Sequence, residues 1–188
     1  MAVDNPHAGA KQASPALGFL DERAPAPPQQ VVRAVDADGL RARLLAAATD
    51  EDVFSRLLEA LQPAAARLAI FLLRGGVLVA HRGHGIDPRA LQLARLPIAD
   101  SPELVKLLEA ATPYVGPLPS QLGSLFQQAG APNGLCLPIT LGKRAIGVLV
   151  AGMIDPALAQ QGLLLLRIAT MVDLALHAGH VRARLAKA

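Results

Sequence analysis

Residues 135–152, LCLPITLGKRAIGVLVAG, constrain the fold of this chain more than any other stretch. Two apolar runs meet at Gly142 and Lys143, where a glycine accepts the positive φ of a tight hairpin turn. Such a hairpin needs covering, and most of the remaining chain reads as material for that cover. Pro138 has no N–H to give to a ladder, which places it at an edge, a bulge or a gap in pairing. Gly147 and Gly152 suit the close approach of a neighbouring element.

A second hairpin is predicted from the short apolar runs 68–73 and 77–80, joined through Arg74, Gly75 and Gly76. Neither run alternates cleanly between apolar and polar, so both faces of the sheet are expected to lie under helices. Among the 188 residues, 52% are hydrophobic but only 3% aromatic, with no Trp. The core is therefore aliphatic, close-packed from Leu, Ala, Val and Ile.

Residues 1–35 are Pro- and Ala-rich without a sustained period and predict a disordered tail, with residues 36–188 forming one domain. Leu17, Phe19 and Leu20 form a short apolar cluster in that tail. A first helix starts at Asp36 or Asp38, with Leu40, Leu44 and Leu45 on one face. Thr49 and Asp50 offer capping oxygens to a second, where Glu51 and Asp52 suit the positive end of its dipole. Its stripe is Val53, Phe54, Leu57, Leu58 and Leu61, and it is expected to bend at Pro63 and run on weakly to Arg67. Residues 89–96 read as a short helix or an irregular crossover. Ser101 and Pro102 start another helix, as N-cap and first helical residue. Tyr114, Val115 and Gly116 form a short strand, and residues 120–129 one more helix with Leu122, Leu125 and Phe126 inward. Residues 131–134 form the turn into the hairpin at 135–152.

The last helix is expected from Pro156 towards Arg184. Arg167, Thr170, Asp173, His177, His180 and Arg184 recur at three- and four-residue steps, on one stripe. Most of the rest is apolar, more than the arc of roughly 100° that covering a sheet requires. The surplus predicts packing on another helix or on a second subunit. The residues singled out for a homodimer contact are Leu163, Leu166, Thr170, Leu174 and His177.

Several chemistries find no support in the residues. The formal charge is +3 with Lys and Arg scattered, without the dense basic run that phosphate recognition asks for, so no nucleic acid is expected. One cysteine, Cys136, leaves no internal disulfide or Cys-built zinc site, and its apolar setting makes it a small hydrophobe. His81, His84 and Asp87 have a superficial ligand spacing, but glycines break the segment and solvated loop histidines are the expectation. Neither a Gly-x-Ser-x-Gly elbow nor a Gly-rich phosphate loop is present, so neither an enzyme nor a cofactor is expected. The N-terminus lacks the pattern of a secretory signal, and charges interrupt the apolar stretch 163–178. The expectation is a cytoplasmic protein without a membrane span.

The order of elements resembles the GAF domain. The match rests on Leu137, Pro138 and Ile139, then Gly142, then Ile146, Gly147, Val148 and Leu149. Leu96, Pro97, Ile98, Ser101 and Pro102, with Tyr114, Val115 and Gly116, are similar to the family's middle section. The resemblance covers about residues 36–184. It implies an α+β fold: a central antiparallel sheet of about five strands, terminal helices on one face and short helices on the other. The cyclic-nucleotide set, the bilin-attaching cysteine and the cysteines of the sulfoxide-reducing branch have no counterparts. What it implies is a regulatory module without catalysis, acting through homodimerisation and a protein partner. The alternative is a small-molecule sensor with a pocket on the sheet face opposite the terminal helices, near Tyr114, Ser120, Gln121, Ser124 and Phe126.

Overall fold

The computed structural model describes residues 35–126 and 134–187. The expected tail up to residue 34, residues 131–133 of the expected turn 131–134 and the end of the expected helix 120–129 lie outside these residues; Gly134 already belongs to a strand. Seven α-helices and six strands are described: α1 (Ala37–Leu45), α2 (Asp50–Leu61), β1 (Ala65–Arg74), β2 (Val77–His84), α3 (Pro88–Leu93), β3 (Arg95–Pro97), α4 (Pro102–Ala110), β4 (Tyr114–Gly116), α5 (Ser120–Leu125), β5 (Gly134–Leu141), β6 (Arg144–Ile154), α6 (Pro156–Ala159) and α7 (Gly162–Leu185). The strands form one antiparallel sheet in the order β3-β2-β1-β6-β5-β4.

Both hairpins form where the sequence places them. Gly75 and Gly76 turn β1 into β2 at φ +57° and +78°, conformations that a Cβ penalises. Gly142, at φ +66°, starts the turn between β5 and β6. At Gly147 an added Cβ would lie 2.3 Å from the Phe71 carbonyl oxygen, so β6 meets β1 at a point that only glycine fits. Pro138 pairs with Val148 of β6, while β4 pairs only with residues 134–136 of β5. The missing N–H therefore falls in a gap in pairing.

Period-two alternation sorts the central strands into two cores. Leu68, Ile70, Leu137, Ile139, Leu149 and Ala151 face α1, α2, α6 and α7. Ala69, Phe71, Leu78, Cys136, Val148 and Val150 face α4 and α5. The two-sided cover expected from the unalternated runs is thus present, on an α+β frame with one strand more than expected.

The caps follow the sequence. Asp36 Oδ1 accepts from the Gly39 N–H at 3.0 Å. Thr49 and Asp52 close a reciprocal capping box, Thr49 Oγ1 accepting from the Asp52 N–H at 3.1 Å and Asp52 Oδ2 from the Thr49 N–H at 3.1 Å. The Thr49 hydroxyl, first of all, holds the Asp52 carboxyl below the usual carboxylate range. Ser101 and Pro102 start α4 as expected.

Four local expectations are corrected. The run from Pro63 to Arg67 is not weak helix: a 3-10 turn ends at Ala64 and β1 begins at Ala65, because pairing with β6 overrides alanine's helix propensity. His81 and His84 are not in a loop but in β2, which pairs with β1 as far as Leu68 and absorbs one residue in a bulge beside Ile70 and Phe71. Residues 95 and 96, the end of the segment expected as a helix or crossover, form with Pro97 the edge strand β3 on β2. The terminal helix is interrupted after Ala159: α6 ends in a turn at Gln160, and α7 starts at Gly162.

Thr49→Ala removes the cap of α2, and about 1 kcal/mol of stability should go with it, seen as a fall of a few degrees in the melting temperature. Gly147→Ala should cost about 1–3 kcal/mol by forcing β6 off β1, measured by chemical denaturation.

Candidate functional site

Two surfaces stand out, one on each side of the sheet. On the α4–α5 side, the chain leaves α4 through Ala111, which takes φ +50° and ends the helix, and Pro113 prevents its continuation. Tyr114 then pairs with Cys136 on β5. Pro117 and Pro119 carry the chain from β4 to α5. These turns leave a groove of about 590 Å³ between α4 and the β4–α5 connection. Leu107, Ala110, Pro113 and Leu118 supply apolar wall, while Glu103, Lys106, Thr112, Tyr114 and Ser120 supply polar groups.

The Tyr114 hydroxyl donates to the Pro117 carbonyl at 3.1 Å, pinning the connection. The Glu103 carboxyl is held below its ordinary range, first by its own backbone N–H and then by the Ser101 hydroxyl, which donates to it at 3.0 Å. The groove wall is thus anionic at Glu103 and cationic at Lys106.

Of the five residues expected to line a pocket, Tyr114 and Ser120 border this groove. Gln121 reaches towards the Asp100 carbonyl at 3.5 Å, and its Oε1 is buried without a partner. The Ser124 hydroxyl donates to the Gln121 carbonyl at 3.0 Å. Phe126 is fully buried with Phe71, Leu104 and Leu122 in the core beneath the sheet. The space directly under that face is therefore filled by Leu and Phe, and the groove lies on its flank. Glu103, Lys106 and Thr112 were not singled out by sequence; the only available signal was a helix end followed by Thr and Pro.

On the opposite side, α7 buries Leu165, Ile168, Met171, Val172, Ala175 and Leu176 against the sheet, α1 and α2. Leu163, Leu166, Leu174, Val181 and Leu185 remain exposed, from 44% at Val181 to 86% at Leu163. They interleave with exposed Thr170 and His177. All five residues singled out for a dimer contact lie on this stripe; Val181 and Leu185 extend it. A shallow groove of about 390 Å³ runs beside it between α1 and α7, lined by Arg41, Leu163, Leu166, Met171 and Leu174 among others. Among the described residues α7 alone is long and apolar enough to cross a bilayer by length and composition, and 33% of its most apolar window is buried inside the fold.

Polar contacts fix α7 in place. Arg167 Nη2 meets Asp38 Oδ1 at 2.9 Å, and Arg182 Nη2 donates to the Ala47 carbonyl at 2.8 Å. Asp173 Oδ1 accepts from the Gly142 N–H at 2.7 Å and from the Thr140 hydroxyl at 3.2 Å. His180 Nε2 lies 3.3 Å from Asp50 Oδ2. His81 Nε2 lies 2.6 Å from Glu51 Oε2, edge-on to Phe54, and Arg82 pairs with the same carboxylate. Each histidine thus serves as a brace for α2. Among the described residues, no group of three His, Cys, Asp or Glu is placed to hold a metal ion.

No family model matches the chain, and no curated protein matches it. Solved structures do. The GAF domain of a phosphoenolpyruvate-protein phosphotransferase from Coxiella burnetii is 18% identical at a TM-score of 0.54, over 80% of this chain and 94% of that one. A piece of a methyl-accepting chemotaxis protein is 16% identical at 0.56, over 79% and 99%. The phycocyanobilin-bound GAF domain of a cyanobacterial phytochrome is 15% identical at 0.57, over 79% and 98%. The chain has a GAF-like fold.

Cys136 is buried on β5, and burial pushes its thiol up to about 12. A raised value keeps the thiol neutral through the physiological range and well above it. A thiol reagent at pH 8 should label the native protein about a hundredfold or more slowly than the urea-unfolded chain; comparable rates would contradict the burial.

Proposed function

We propose that the chain is a regulatory module without catalysis, which works as a homodimer and through contacts with a protein partner in the cytoplasm. The observation that carries this reading is the exposed apolar stripe on α7. A row of large aliphatic side chains in water, broken only by Thr170 and His177, is what an interaction surface looks like before its partner arrives. Two further observations support it. The space under the α4–α5 face is occupied by Phe71, Phe126, Leu104 and Leu122. Solved structures with this fold include domains of signalling proteins, among them the chemotaxis protein and the phytochrome.

Leu166→Glu and Leu174→Glu tests the dimer. Both side chains are about half exposed, so a charge there should leave the fold intact while it desolvates badly at an interface. Sedimentation should show wild-type dimers and variant monomers with unchanged circular dichroism, the association weakened by about tenfold or more. A wild type that stays monomeric at about 100 µM, weaker than the micromolar range of specific complexes, would sink the reading.

A second reading is a small-molecule sensor, and the groove at α4 is the observation that favours it. Its volume falls within the usual range of about 300–1,000 Å³, with apolar walls and a few convergent polar groups. Thermal-shift screening with small amphipathic compounds tests it. A binder should raise the melting temperature of the wild type but not of Ala110→Trp, which fills the groove; a shift retained in that variant would place the binding elsewhere.

A further inference from the structure

One stripe of exposed positions on α7 is 163, 166, 170, 174, 177, 181 and 185, separated by 3, 4, 4, 3, 4 and 4 residues; Arg167 and His180 are exposed beside it, and the last turns from 180 to 185 are exposed all round. Eleven residues carry three steps, about 3.67 residues per turn, so the stripe stays almost straight along the helix. It runs for about 33 Å at 1.5 Å per residue. The polarity along it reads Leu, Leu, Thr, Leu, His, Val, Leu. That order is symmetric about Leu174: apolar pairs lie outside, one polar residue lies on each inner flank, and a leucine sits at the centre.

The ends of the stripe differ in charge. Near its start, Asp36 and Asp38 at the head of α1 offset Arg41 and Arg167. Asp38 bonds Arg167 at one end and Ala47 accepts from Arg182 at the other, so α1 runs in the same direction as α7. Near the other end stand Arg182, Arg184 and Lys187, with Asp50 against His180. A parallel pair of α7 helices would place these cations against their own copies and align the two helix dipoles. An antiparallel pair separates the two basic ends, sets each against the charge-balanced end of the partner, and opposes the dipoles.

The geometry points to an antiparallel α7–α7 seam with its two-fold axis at Leu174. This rests on the dimer reading above and adds its orientation. Residue numbers that sum to 347 or 348 come opposite each other. Leu163 meets Leu185 of the partner subunit, Leu166 meets the partner's Val181, and Thr170 meets His177 of the partner subunit. The Thr170 hydroxyl already donates to the Leu166 carbonyl at 3.0 Å, which leaves its lone pairs for an imidazole N–H. His177 makes no hydrogen bond or ion pair among the described residues, so its ring is available to donate. Each polar residue in the seam thus finds its partner across the axis, twice over.

Cysteine cross-linking of the full chain decides the orientation, and buried Cys136 does not compete for the oxidant. Leu174→Cys, on the axis, should give a covalent dimer on mild oxidation. Leu163→Cys and Leu185→Cys should each give little, and the double variant should cross-link about tenfold more than either. Self-linking of Leu163→Cys alone, as fast as in the double variant, would overturn the antiparallel seam. A wild type that sediments as a dimer while none of these cysteines links would overturn the α7 seam and leave the dimer reading standing. A monomeric wild type would remove both.

Discussion

The pairing of β1 with β6 is the constraint on which the rest of the structure depends. Both strands carry aliphatic side chains on both faces, so neither face can be left to water. Each strand also needs the other close: Gly147 brings the β6 backbone against the Phe71 carbonyl, where no side chain fits. Two separate covers follow. Helices near the ends of the described chain close one face, and the connection from α3 to α5 closes the other. The chain's low aromatic content makes those covers long rather than bulky, because many Leu and Ala side chains must do what a few rings would do elsewhere.

Much of this frame was legible because it rests on local chemistry. The turn glycines, the capping oxygens of Asp36, Thr49 and Ser101, and the proline at the first position of α4 act within a few residues of themselves. What was not legible depended on partners far along the chain. Ala65 and Ala66 read as helix until β6 offers them a ladder. His81 and His84 read as a loop because Gly83 and Gly85 break the pattern, whereas β1 pairs with Ala80, Arg82 and His84 around them and leaves His81 as the bulge. Gly83 also sits against the Leu91 side chain, a contact with α3 that no local pattern encodes.

The two surfaces differ in the same way. The stripe on α7 was readable as a surplus, since a helix with more apolar residues than one sheet can bury advertises the excess in its sequence. Its extent was less readable, because Val181 and Leu185 lie beyond the dense apolar run. The groove at α4 arises from how Pro113, Pro117 and Pro119 steer the backbone, and steering has no periodicity. Tyr114 and Ser120 border that groove because they flank those prolines. Phe126 packs into the core instead, since an aromatic at the end of a short helix serves a core as readily as a pocket.

Asp173 has a consequence for what α7 can do. Its carboxylate takes the Gly142 N–H and the Thr140 hydroxyl together, so the helix is indexed to the β5–β6 turn at one position. Sliding α7 by one turn, about 5.4 Å, would carry the carboxylate away from both donors and leave no equivalent acid behind it, since residues 169 and 177 are Ala and His. With Arg167 on Asp38 and Arg182 on the Ala47 carbonyl, the helix is tied at three heights, so the stripe holds a fixed level against the sheet.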